Sequence, residues 1–127
     1  MTEEEYIIRL SALKKEALEA HAKYKEAKRN VKQLEKEYSS QLAENYTDYI
    51  GKKVIIYYKN KEGKECHTQI GYLDRFVWVD NNYYVDVGLY PFLLKVKKDG
   101  SKSKAPFPEF DNTKAEIKRI IRIEEIE

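Results

Sequence analysis

The chain is poor in the residues that mark specialised chemistry: among 127 residues there are one Cys, one Met, one Trp, three Pro and five Gly. A single cysteine, Cys66, forms no disulfide within the chain, which points to a reducing compartment and hence to a cytoplasmic protein. One cysteine and two histidines, His21 and His67, without i,i+4 or C-x-x-C spacing, cannot assemble a tetrahedral metal site. None of the glycines forms a Gly-rich run ahead of a helix, so the phosphate-binding loops are missing. No apolar run approaches the ~20 residues that span a bilayer, and the start Thr2-Glu3-Glu4-Glu5 is acidic where a signal peptide is basic. Neither a membrane partner nor a cofactor is expected. Cys66-His67 pairs a nucleophile with a base in sequence, but neighbouring strand residues point to opposite faces and their side chains diverge. No Ser or Cys has a base and an orienting group around it, so no enzymatic activity is expected.

What is present is charge, aromatics and helical periodicity. Charged residues make up 36% and hydrophobic ones 42%, and the 11 Tyr, 4 Phe and one Trp argue against disorder. The net charge of +2 is too small to imply a nucleic-acid or membrane surface by itself. Lys outnumbers Arg, and Tyr, Ile and Asn are frequent. This is the bias of AT-rich codons, as in a low-GC bacterium, a phage or a mobile element.

The strongest pattern is an apolar seam with alternating steps of three and four: Leu10, Leu13, Ala17, Ala20, Tyr24, Ala27, Val31, Leu34 and Tyr38. No Pro or Gly interrupts before Gly51, and Thr2 with Glu5 three residues on forms a capping box at the start. A coiled-coil-type helix is expected over residues 1–45. About 43 helical residues reach roughly 65 Å, whereas residues 49–127 would make a globule only about 30 Å across. Much of the seam therefore needs a helix from another chain, although part of it has the alternative of lying along its own β portion. With Leu10 at heptad position a, three central layers carry alanine, which allows close approach but buries little area. A parallel in-register pair sets Arg9 against Lys14 and Lys23 against Lys28, both repulsive. An antiparallel arrangement, or a different partner helix, suits the seam better.

Residues 46–50 read as a hinge, with Ser39-Ser40 and Glu44-Asn45 as polar residues leading to it, and residues 51–127 as a β unit. Strands are expected at Lys53–Lys59, at Glu65–Val79 with a bend or bulge near Gly71, at Tyr83–Val87 and at Tyr90–Lys98. Ile117–Ile126 is expected to return as a closing strand or a short helix-to-strand segment, after a basic, Pro-containing loop over residues 99–113. The fold class is thus α+β: a long N-terminal helix followed by a small five-stranded antiparallel sheet, closed into a barrel to remove exposed edges.

Residues 51–126 resemble Sm-like and other SH3-like small barrels that follow an N-terminal helix. Gly51-Lys52-Lys53-Val54 matches the opening strand, and Gly71, Leu73 and Phe76 fall at the family's Gly-x-hydrophobic-x-x-Phe spacing. Asn81 stands where the family keeps an Asn, and Asp86 ends the next strand. The resemblance implies the SH3-like fold. It departs where the family binds RNA: the acidic residue after the Phe is Val77, and the late Arg-Gly pair is Arg122-Ile123. Of the nucleic-acid contacts it implies, only Asn81 carries over.

Two further surfaces stand out. The aromatic residues of the β unit exceed what a small core holds, so they either seat the helix or line a partner groove, and the alternation of residues 83–87 places Tyr84 outside. Lys97, Lys98, Lys102 and Lys104 precede Phe107 and Phe110 in a segment held extended by proline. That segment is either a solvated loop or a contact for an acidic protein surface or for nucleic-acid phosphates. The sequence thus points to a non-enzymatic interaction or assembly protein, a homo-oligomer or the partner of another protein. A phage-type structural or host-inhibiting component would suit it, and a nucleic-acid-binding barrel is the alternative.

Overall fold

A computed structural model of the chain describes residues 1–80, 86–106 and 115–127. Helix α1 runs without a break from Glu3 to Glu44. Its start is the expected capping box: Glu5 N–H donates to Thr2 Oγ1 at 3.1 Å, and Thr2 N–H donates back to Glu5 Oε2 at 3.4 Å. Glu3, Glu4 and Glu5 sit in the first turn, where the helix dipole favours negative charge. Ser39-Ser40 does not bend the helix as a lead-in to a hinge would, because Ser39 is buried against the β unit and the turn continues through it. A 3-10 turn at Thr47–Tyr49 follows. Among the described residues, no helix is long and apolar enough to cross a membrane.

The chain divides into two compact units, Met1–Leu34 and Glu35–Glu127. The first is a single stretch of α1. The second holds the end of α1 and a six-stranded antiparallel sheet of β1 (Lys53–Lys59), β2 (Glu65–His67), β3 (Gly71–Val79), β4 (Gly88–Val96), β5 (Lys102–Pro106) and β6 (Ile120–Glu125). β1 is paired on both edges. Val54 stands between Gly71 of β3 and Glu125 of β6, and Tyr57 between His67 of β2 and Arg122 of β6. The sheet continues from β3 to β4 and β5. No pairing joins β5 to β6 among the described residues, so the α+β class holds while the sheet is open, not the closed five-stranded barrel expected from the sequence.

The core follows the two-residue period of β1: Val54, Ile56 and Tyr58 are buried on one face, with Leu73, Leu93, Ala115 and Ile123 around them. Two departures from ideal strands give the sheet its shape. The expected long strand Glu65–Val79 is broken into β2 and β3 by Thr68. Its N–H donates to Ile56 O at 2.9 Å, and its own hydroxyl replaces a ladder carbonyl by accepting Ile56 N–H at 3.1 Å. The register between β3 and β4 then shifts at Leu73/Arg75, making Asp74 a bulge. That extra residue explains the Leu73-to-Phe76 spacing of three: without it one of the two would face away from the core, whereas Leu73 is buried and Phe76 packs on the same cluster.

The strand expected at Tyr90–Lys98 is present as β4, Gly88–Val96, and Asn81 to Val85, on which most of the expected Tyr83–Val87 strand falls, lie outside the described residues. The expected basic loop 99–113 is, over its described residues 99–106, a turn followed by β5, because Val96 and Leu94 of β4 hold Lys102 and Pro106 in ladder register. The closing segment agrees with expectation: a 3-10 turn at Ile117–Arg119 leads into β6.

Glu116 caps this last turn, its Oε2 accepting Lys118 N–H at 2.8 Å. It fills the space left by Gly88, where a β-carbon would lie 2.6 Å from Glu116 Cγ. Burial raises its carboxyl above the ordinary value, against the pull of the Lys118 N–H bond and of the Lys118 and Arg119 charges. Nearby, the Tyr90 hydroxyl donates to Asp86 O at 2.8 Å and is pushed up to about 12, chiefly by burial.

Replacing Thr68 by Val leaves the Ile56 N–H buried without an acceptor. A loss of about 1–3 kcal/mol is expected in urea unfolding, and a smaller one for Thr68→Ser, which keeps the hydroxyl. A carboxyl with a raised folded-state pKa binds its proton more tightly when folded, so its contribution is present at low pH and is lost as pH rises through the folded value. Thermal melts of Glu116→Gln are therefore expected to fall less steeply than the wild type as pH rises from about 4.5, the ordinary Glu value, towards neutrality.

Candidate interaction surface

The seam residues share one stripe of α1, and that stripe is open. Leu13, Tyr24, Val31, Leu34 and Tyr38 keep between 52% and 66% of their surface exposed, Leu10 is half-buried, and Ala17, Ala20 and Ala27 are exposed. Exposed apolar residues scattered singly need no explanation, but a continuous stripe of them does. Ile8 and Leu18 are also exposed and fall outside the seam.

Within the second unit, the side of the helix facing the sheet can be read directly. Ser39 is 1% exposed, while Tyr38 beside it is 52% exposed. Lys36 Nζ lies 5.4 Å from the centre of the Trp78 ring on β3, and Tyr46, just past the helix, packs on Phe76 with ring centres 6.4 Å apart. Burial and the nearby Tyr49 raise the Tyr46 hydroxyl above its ordinary value. Phe76 and Trp78 thus form the seat for the end of α1, one of the two roles the aromatic residues of the β unit leave open. Ser39 Oγ and Trp78 Nε1 are buried there without a hydrogen-bond partner among the described residues. On a helical wheel Lys36, Ser39 and Ala43 form one stripe, and Tyr38 with Gln41 lies on the far side. The sheet occupies the back of the seam here and leaves its front free.

The lysine segment is more ordered than a solvated loop. Gly100 adopts φ +88°, its N–H donates to Lys97 O at 2.9 Å, and Lys97 N–H donates to Ser101 O at 2.8 Å. The Tyr72 hydroxyl on β3 donates to Gly100 O at 2.6 Å and pins the turn. Asp99 accepts from the Ser101 N–H and hydroxyl, bonds that hold its carboxyl below the ordinary value. Lys97 and Lys98 are exposed in this turn, and Lys102 and Lys104 are exposed on β5, two residues apart and so on one face. Asn81, Tyr84, Phe107 and Phe110 lie outside the described residues.

Other side chains with chemical potential are engaged within the protein. Arg122 lies over the Tyr57 ring at 4.0 Å and pairs with Glu65 at 2.7 Å and Glu124 at 3.0 Å. His67 packs on the other edge of Tyr57, ring centres 5.9 Å apart, while Cys66 turns towards the core and receives the Asn60 side-chain N–H at 3.6 Å. Cys66 and His67 thus diverge, as strand geometry requires. Among the described residues no group of His, Cys, Asp and Glu is placed to hold a metal ion.

Sequence reasoning missed the Ser39 face, because one serine in a polar stripe carries no periodic signal. It also missed the Tyr72 pin, which joins residues far apart in the chain. Compared with protein-family models, curated proteins and solved structures, the chain matches none.

Filling the Ser39 site tests which side of the helix is seated. Ser39→Leu overpacks it and is expected to cost about 1–3 kcal/mol in chemical unfolding, whereas Ser40→Leu, on an exposed position of the same turn, is expected to stay within about 0.5 kcal/mol of the wild type.

Proposed function

We infer that this protein is a non-enzymatic assembly component: the seam of α1 joins it to another helix, and the sheet unit is the body that the helix brings into the assembly. The observation that carries this reading is the exposure of the whole seam from Leu13 to Tyr38, including the stretch where the opposite side of the same helix is seated on the sheet. A helix of Leu, Ala, Glu and Lys has good intrinsic propensity, but most helical stability in proteins comes from packing an apolar face. Here that packing has to come from outside the chain.

The exposed Lys97, Lys98, Lys102 and Lys104 give the sheet unit a second contact surface, suited to an acidic protein partner. A nucleic-acid partner draws on the same lysines but has less support. Asp99 lies within the same turn, and Arg122, at the position of the family's RNA-binding pair, is held by Glu65 and Glu124. A cytoplasmic setting accords with a single unpaired cysteine, and the AT-rich residue bias accords with a phage or mobile-element structural or host-inhibiting component.

Solution mass by light scattering tests the reading, comparing the wild type with Ala20→Glu/Ala27→Glu. A discrete oligomer is expected, converted to monomer by charges placed in two central layers. A wild-type monomer, or an oligomer that the double change leaves intact, overturns it.

A further inference from the structure

The geometry points to a second copy of this chain as the occupant of the seam, its helix antiparallel to the first and the two-fold axis passing between Lys25 and Glu26. This rests on the seam being an assembly face and adds to it the identity and direction of the partner.

The argument for direction is one of shape. In a parallel in-register pair each layer meets its own copy, so Ala17, Ala20 and Ala27 face alanines and Tyr24 faces Tyr24. Tyr38 likewise faces Tyr38, so three layers are underfilled and two are crowded. Turning one helix round sets each a position against a d position of the other. About the Lys25–Glu26 axis, Ala17 meets Leu34, Ala20 meets Val31 and Ala27 meets Tyr24, while Leu13 meets Tyr38 and Leu10 meets Gln41. Every alanine of the seam then lies opposite a large side chain, and large against small is what fills a layer without strain.

Charge selects the same arrangement. The positions flanking an antiparallel seam pair like with like, g with g and e with e. In this register Arg9 faces Glu44 and Lys14 faces Glu35, each pair occurring twice, and Ile7 faces Leu42. Arg9, Lys14, Glu35 and Glu44 are all exposed. Glu16 opposite Glu37 is the one pair of like carboxylates; His21 faces Lys28 and Lys23 faces Asn30. The parallel pair instead sets Arg9 against Lys14 and Lys23 against Lys28. Neighbouring antiparallel registers are worse. An axis at Ala22 puts Ala17 against Ala27 and Lys14 against Lys28, and an axis at Arg29 leaves Leu10 and Leu13 beyond the overlap.

The chosen register uses the helix from Leu10 to Gln41, about 47 Å of seam. Where α1 carries the sheet, Tyr38 and Gln41 lie on the side away from the Ser39 seat, so the partner helix enters on the open side.

Disulfide trapping in the full-length chain reads the direction. In a Cys66→Ser background, Ala20→Cys and Val31→Cys are made separately, one of them tagged, mixed, equilibrated and mildly oxidised. The expected product is a dimer containing one of each. Either variant alone is expected to cross-link poorly, since Ala20 and its own copy stand about 16 Å apart along the axis, beyond the ~7 Å that a disulfide spans between α-carbons. Charge reversal gives an independent reading. Lys14→Glu is expected to weaken dimerisation roughly tenfold, and adding Glu35→Lys is expected to restore it.

Efficient cross-linking of Ala20→Cys with itself, or tighter association on Lys14→Glu, means a parallel pair and overturns this inference while the assembly reading stands. An oligomer with neither cross-link also overturns it. A monomeric mass for the unoxidised wild type overturns both.

Discussion

β1 is the constraint from which the sheet unit follows. It has partners on both edges, β6 along one and β3 then β2 along the other, and its inward residues Val54, Ile56 and Tyr58 are the centre of the core. A strand in this position has no ladder group to spare, which is why the break at Thr68 matters. Where the second strand leaves the ladder, the Thr68 hydroxyl takes over the Ile56 N–H. The pairing of β1 with β6 joins residues near the start and the end of the unit, a non-local contact whose loop must close before it yields any stabilisation. The 3-10 turn capped by Glu116 delivers the chain into β6 at the required register.

The helix is stabilised on different terms. Its start is satisfied locally by Thr2 and Glu5, and its end is seated on Phe76 and Trp78 through Lys36, Ser39 and Tyr46. Between those ends the stripe from Leu13 to Leu34 is exposed. The alanines of that stripe set the character of any contact made there. They let backbones approach closely and contribute little area each, so the fit has to come from what stands opposite them.

How much was legible in the sequence depends on the range of the interaction. The capping box, the long helix and the strand Lys53–Lys59 are written in residues a few positions apart, and each is present. The turn before β6 was legible too. Thr68 was not, because its role depends on Ile56, on a strand that only the fold brings alongside. The bulge at Asp74 left a trace, the three-residue step from Leu73 to Phe76, which a flat strand cannot accommodate. β5 was hidden because Lys102 and Lys104 have weak strand preference and are held in place by β4. Closure of the sheet was beyond local reading altogether, since it depends on whether the outermost strands meet.

The seat at the end of α1 also makes the chain its own optical reporter. Trp78 is the single tryptophan, it lies beneath the Lys36 ammonium, and its indole nitrogen is shielded from solvent. Emission from an indole depends on the polarity and charge around the ring, so intrinsic fluorescence follows the docking of this one helical turn.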